Sequence, residues 1–180
     1  MCTKACLRFG WRNIIKEDIE NKDIIEVGSY NVNGSLREHL LSFKPQKYVG
    51  VDIHEGAYVD MVCSAENIIE KFGKESFDFV LTTEMLEHVE PWQKVISNLK
   101  NICKSNGVIV ITTRSKGFGK HDFPSDYWRY EIEDMQQIFS DCIIEKLEKD
   151  PRHPGVFLRA RKPYNFIEKD LSTYQLYRII

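Results

Sequence analysis

Apolar residues fall along the chain in short blocks, and the spacing inside each block predicts its element. Asp23-Ile24-Ile25-Glu26-Val27-Gly28 is a β-branched run stopped by glycine, which predicts a strand followed by a turn. Asn33-Gly34-Ser35 then opens a helix to about Phe43, with Leu36, Leu40 and Leu41 on one face and Pro45 just past its end. A second strand is predicted over Lys47–Ile53, a short one over Asp60–Cys63, a helix around Ala65–Phe72, and a further strand over Phe77–Leu81. Pro91 suits a first helical turn, and Val95, Ile96, Leu99, Ile102 and Cys103 recur at helical intervals until Lys104-Ser105-Asn106-Gly107 ends the helix. Val108–Thr112 reads as a buried strand. Cys142–Leu147 and Val156–Arg161 read as two more, joined by the turn-rich segment Lys149–Gly155. Strands and helices alternate with connections too long for hairpins, so the pattern predicts an α/β fold. Its sheet is mostly parallel, carries helices on both faces, and ends in an antiparallel edge pair. The 180 residues read as one domain with a core at 23–163, a segment 1–22 before it and an aromatic tail 164–180 after it.

Composition narrows the classes. Hydrophobic residues at 42% and charged residues at 29% are ordinary for a globular chain and exclude disorder and fibre. The longest strictly apolar run, Val108-Ile109-Val110-Ile111, is far short of the roughly 18 residues that span a bilayer, and Met1-Cys2-Thr3-Lys4 opens no signal-peptide core. A cytoplasmic protein with no membrane partner is expected. Twenty-five basic and 27 acidic residues give a net charge of -2, so no overall field draws the chain to nucleic acid. The cysteines at 2, 6, 63, 103 and 142 form no Cys-x-x-Cys pair, and the histidines at 39, 54, 88, 121 and 153 are equally dispersed. Reduced thiols and no metal are expected.

In an open α/β sheet, ligands bind beyond the carboxyl ends of the strands, near the point where strand order reverses. The strand-end residues therefore belong together. After the first strand stands Glu26-Val27-Gly28-Ser29-Tyr30-Asn31-Val32-Asn33-Gly34, where Gly28 permits a tight turn and Gly34 a close helix start. After the second stands Asp52, placed to accept both hydroxyls of a ribose. This is not the G-x-G-x-x-G loop that holds a pyrophosphate against main-chain amides. Glu26 just before the turn suits a cationic ligand end better than a phosphate, which points away from NAD and toward S-adenosylmethionine.

These blocks, with Tyr48-Val49-Gly50-Val51-Asp52-Ile53, Ser64-Ala65-Glu66-Asn67, Phe77–Val89, Gly107–Thr113 and His121–Tyr130 in that order, resemble a class I S-adenosylmethionine-dependent methyltransferase over Ile24–Pro163. The resemblance implies a Rossmann-like sheet. It implies that Gly28, Ser29 and Gly34 line the methionine and sugar part of the cofactor, with Glu26 toward the ammonium. Asp52 would hold the ribose and Ile53 pack on adenine. At Ser64 and Ala65 the family usually has an aspartate followed by a small residue, so Ser64 or Glu66 is the candidate adenine contact. Thr83, Glu84 and Met85 would face the sulfonium. Asp126, Tyr127, Trp128 and Arg129 lie where the family builds its acceptor pocket.

Methyl transfer from a sulfonium is a direct displacement, in which positioning can supply roughly 7–11 kcal/mol. Where the acceptor is a hydroxyl, His88 or His121 is the candidate base, because histidine titrates near neutrality. The residues Thr82-Thr83-Glu84-Met85 lack the Asn/Asp-Pro-Pro-aromatic motif of amino-directed DNA methyltransferases. A small-molecule hydroxyl on a metabolite or sugar is therefore expected. The alternative is a module that keeps the cofactor fold and serves interaction or regulation without catalysis. With so few residues outside the core, the pocket is expected to be open or completed by a second copy in a homodimer.

Overall fold

The computed structural model describes residues 3–179, so Cys2 lies outside the described residues. Five parallel strands occur in the order β3 (Met61–Val62), β2 (Lys47–Asp52), β1 (Asp23–Val27), β4 (Phe77–Thr83), β5 (Cys103–Arg114). The sheet is completed by β8 (Gly155–Arg161) and β7 (Ile143–Lys149), both antiparallel to their neighbours, which is the expected edge pair. Strand order reverses between β1 and β4, where the chain crosses from one half of the sheet to the other.

Alternation along the central strands divides the core into two layers. Ile25, Val27, Val80, Ile109 and Ile111 face one side and pack with α3 (Ile68–Phe72), α4 (Trp92–Ile102) and α5 (Ile132–Ile138). Ile24, Phe79, Leu81, Val108 and Val110 face the other side and pack with α1 (Lys4–Asn13) and α2 (Arg37–Ser42). A central parallel strand buried on both faces reads as a continuous apolar run, which is why Val108–Ile111 was visible as one.

Several boundaries differ from the sequence pattern for local reasons. The helix expected from Ser35 begins at Arg37, because Gly34 takes φ +120° and its N–H donates to Asn31 Oδ1, while Ser35 Oγ accepts from the Arg37 N–H. The segment 104–107 is not a loop. Strand β5 starts at Cys103, directly after α4, and absorbs an irregularity in its pairing with β4 between Phe77 and Phe79. Helices α1 and α5 and the small antiparallel pair β6 (Trp128–Arg129) with β9 (Tyr177–Arg178) are elements that the sequence pattern does not predict. Thr3 caps α1, and a reciprocal Glu131–Asp134 capping box starts α5. Cys63, Cys103 and Cys142 are free thiols. No helix among the described residues is long and apolar enough to cross a membrane.

Candidate active site

The carboxyl ends of β1, β2 and β4 open onto one pocket at the strand-order reversal. Gly28 makes the turn after β1 at φ +80°, and the N–H groups of Gly28 and Ser29 both donate to Val51 O, at 2.9 and 3.1 Å. A Cβ on Gly28 would lie 2.7 Å from Met85 Cγ and 2.8 Å from its Cβ, so the turn needs glycine for its dihedral and for its space. Asp52, at the end of β2, fixes the next step of the loop. Its Oδ2 accepts from the Tyr30 N–H at 3.1 Å and its Oδ1 from the His54 N–H at 3.2 Å.

Glu26 stands at the floor of this pocket, 2% exposed. Its Oε2 accepts from the Tyr48 hydroxyl. Burial pushes the Glu26 carboxyl up to about 7, against the Tyr48 hydrogen bond and the charge of Arg37. Arg37 itself is committed to Asp60 by two 2.9 Å contacts. The pocket thus holds a carboxyl group ready to ionise when a cation arrives.

The other residues singled out in the sequence fall in two groups. Ser29, Gly34, Ile53, Ser64, Ala65, Thr83, Glu84 and Met85 all line the same pocket. Glu66 does not, and its N–H instead donates to Ser64 Oγ at 3.2 Å. Glu84 takes φ +55° where the chain leaves β4, and its buried carboxylate is paired with Arg114, whose guanidinium also reaches Asp150 at 3.4 Å and lies over the Phe118 ring. Such a backbone conformation in a residue other than glycine costs free energy and persists where the surroundings hold it, as the Arg114 pair does here.

His88 lines the pocket, and His121 lies behind it with the two ring centroids 4.8 Å apart. Histidines dispersed in the sequence are thus neighbours in space. The 126–129 cluster lies outside the pocket lining. Asp126 accepts from Arg129 Nη1 at 2.6 Å and Nη2 at 2.7 Å, and both side chains are buried. Trp128 Nε1 donates to Val89 O at 2.9 Å, and the Tyr127 N–H to Glu87 O at 2.8 Å. These contacts hold the loop 115–130 against the turn after β4.

The sequence reading did not single out Tyr48, Glu87, or the pair Tyr30 and Phe123, whose rings stack at the pocket with centroids 6.3 Å apart. Tyr48 had a usable signal, since parallel pairing puts it beside Ile24 and next to Glu26. Glu87 had one too, as an acid directly before a histidine at a strand end. Phe123 had none, because its loop approaches from a distant part of the chain.

A family model described as "Methyltransferase domain" matches residues 4–148. Among solved structures, the chain is similar to 1,6-didemethyltoxoflavin-N1-methyltransferase of Burkholderia thailandensis, crystallised with 1,6-didemethyltoxoflavin and S-adenosylhomocysteine. That likeness has a TM-score of 0.68 at 14% identity over 89% of this chain and 79% of that one. An S-adenosylmethionine-dependent methyltransferase from Mesorhizobium loti aligns with a TM-score of 0.64 at 13% identity, over 85% of this chain and 96% of that one. The N-methyltransferase NodS from Bradyrhizobium japonicum aligns with a TM-score of 0.63 at 12% identity, over 87% and 96%. At these identities the likeness is one of fold. Among curated proteins no sequence matches.

Proposed function

The chain belongs to the methyltransferase-domain family and is an S-adenosylmethionine-dependent methyltransferase, and from that premise we propose that its acceptor is a hydroxyl of a small molecule, such as a metabolite or sugar. The observation that carries the assignment of the cofactor site is the convergence of Glu26, the Gly28 turn and Asp52 on one pocket. When bound, the cofactor supplies a methyl group on a positively charged sulfur. The pocket's residues suit such a group. Glu26 would take the ammonium, Gly28 would let the backbone approach, and Asp52, already oriented by two N–H donors, would hold the ribose hydroxyls. Ile53, Ser64 and Ala65 would border the adenine, and Thr83, Glu84 and Met85 the reacting end.

What this chain adds to the displacement is alignment and proton handling. We assign His88, which lines the pocket, and His121 behind it to the acceptor end, and the Nδ1 of each faces a backbone carbonyl, Ser125 O at 2.5 Å and Gly119 O at 3.2 Å. In each ring Nε2 is thereby left as the basic atom; His88 would take a hydroxyl proton directly, while His121 Nε2 is buried behind it. The 126–129 cluster would position His121, since the N–H of His121 donates to Asp126 Oδ2 at 2.9 Å. The near-neutral charge supports a small acceptor over a nucleic acid.

The experiment is to supply cofactor with a carbon-13 methyl group and a panel of hydroxylated and amino metabolites, and to read the product by NMR. An O-methyl signal is expected. An N-methyl signal, the chemistry named for the Burkholderia and Bradyrhizobium proteins, would overturn the hydroxyl assignment. Binding is read separately by melting. S-adenosylhomocysteine at about 100 times Kd should stabilise the fold by about 2.7 kcal/mol, while NAD should not. Asp52→Ala should weaken that ligand by one to two decades, from the loss of charge-assisted hydrogen bonds worth roughly 1.5–3 kcal/mol.

A further inference from the structure

Beside the pocket, the turn after β4 and the loop before β6 bring three donor atoms together. Glu87 is fully buried. Its Oε2 accepts from Thr113 Oγ1 at 2.9 Å, and its Oε1 is buried with no hydrogen-bond partner. Oε1 faces His88 Nε2 at 3.9 Å and His121 Nε2 at 3.8 Å, both too long for a hydrogen bond. His121 Nε2 is likewise buried without a partner. One donor atom from each of the three residues lies within 4.8 Å of the other two. Buried polar atoms left unpaired cost about 1–3 kcal/mol each, so two that face the same gap point to something that fills it.

The outer contacts favour a cation as the filler. His88 Nδ1 is held at Ser125 O, and His121 Nδ1 lies 3.0 Å from Asp126 Oδ2 and 3.2 Å from Gly119 O. With the hydrogen on Nδ1 in each ring, both Nε2 atoms carry lone pairs aimed at the gap. A histidine that donates its second nitrogen to a carboxylate or carbonyl is the common outer arrangement of a metal ligand. Here that carboxylate is itself locked, by Arg129 at 2.6 and 2.7 Å. The Glu87–histidine separations of 3.9 and 3.8 Å exceed by a few tenths of an ångström the roughly 3.3–3.6 Å between two tetrahedral ligands at bond lengths of about 2.0–2.2 Å, so small side-chain shifts would draw the three onto one ion. Two imidazoles with one carboxylate suit a first-row transition ion better than magnesium or calcium, which prefer oxygen.

We propose that Glu87 Oε1, His88 Nε2 and His121 Nε2 bind one divalent first-row transition ion, whose remaining positions open on the pocket that His88 lines. Three protein ligands leave room for water or a substrate oxygen. The second half of the proposal rests on the methyl-transfer reading: with both Nε2 atoms on the ion the histidines serve as ligands rather than free bases, and the open position holds the acceptor hydroxyl, whose proton passes to solvent water as its oxygen takes the methyl group. Ion binding itself does not depend on that reading.

The test uses full-length protein stripped with chelator and titrated with Co2+. Saturable one-to-one binding with visible d–d absorption is expected, displaced by Zn2+. His121→Ala should weaken it at least tenfold, with cooperative melting retained. Glu87→Gln, which keeps the shape of the buried side chain, should do the same and serves if His121→Ala fails to fold. No saturable spectrum in the wild-type protein, or equal affinity in the folded variants, would overturn the site. The melting shift with S-adenosylhomocysteine is read on the same samples. A protein that binds that ligand and not Co2+ refutes only the ion site. One that binds Co2+ and not that ligand refutes the methyl-transfer reading and leaves the ion site standing.

Discussion

Replacing Gly28 with valine is expected to weaken S-adenosylhomocysteine binding by more than two decades and to lower the Tm by several degrees. The position is set by two independent constraints. At φ +80° the backbone lies in the left-handed region, where a β-branched residue is a steric outlier, with a cost of about 1–3 kcal/mol. The new side chain would also meet Met85 Cγ and Cβ below 3 Å, and Met85 itself lines the pocket. The strain can be relieved only by pulling apart the turn in which the Gly28 and Ser29 N–H groups share Val51 O, or by pushing Met85 toward the site of the reacting methyl. Either route removes the cofactor's seat. For a chain of this length, about 2 kcal/mol corresponds to a fall of about 4–8 °C in Tm. Ligand affinity within threefold of wild type, measured by calorimetry on the folded variant, would show that the turn is not the cofactor loop.

The part of this site that could be read from the chain was the part made by strand ends. Glu26, Gly28 and Asp52 belong to β1, the turn after it and the end of β2, and a parallel sheet brings successive strand ends to one edge whatever the loops do. The histidine cluster was legible only as scattered letters. His88 follows β4 directly, but His121 reaches it through a long loop, and that loop is located by Asp126–Arg129 and Trp128, pairings that no local periodicity encodes. The same contrast holds for the fold. Strands β1, β4 and β5 announce themselves as apolar runs because both faces are covered. Helices α1 and α5 do bury residues at helical spacing, Ala5, Cys6, Phe9 and Gly10 in α1 and Met135 and Ile138 in α5, but small residues and a glycine make up most of the first set and the second has only two members, so neither stands out as an apolar stripe. Pairing of β6 with β9 joins segments nearly fifty residues apart, and nothing within either two-residue strand asks for it.

Affinity for S-adenosylhomocysteine is expected to rise with pH up to about 7 and then level off, because Glu26 must lose a proton to receive an ammonium. Burial raises its carboxyl from 4.5 to about 7 in the folded chain, so below that range the ligand has to displace the proton first. The apparent affinity should therefore fall nearly tenfold for each pH unit below 7. Binding at pH 6 should release close to one proton, seen as a buffer-dependent binding enthalpy. The same shift has the opposite sign for the free protein. An acid whose folded pKa is raised destabilises the fold in its charged form, so this group's effect is absent below about 4.5 and grows as pH rises to about 7. It reaches a cost of about 3 kcal/mol, from roughly 1.4 kcal/mol per pKa unit. Glu26→Gln keeps an oxygen to accept from the Tyr48 hydroxyl and removes the charge. That variant should be more stable than wild type at pH 8 when ligand-free. It should bind S-adenosylhomocysteine about two to three decades more weakly, as expected when one member of a buried charge pair is neutralised. Its residual affinity should show no inflection near pH 7. A wild-type affinity that stays flat between pH 5.5 and 8 would mean that Glu26 does not meet the ligand's cation, and the pocket's buried acid would then need another purpose.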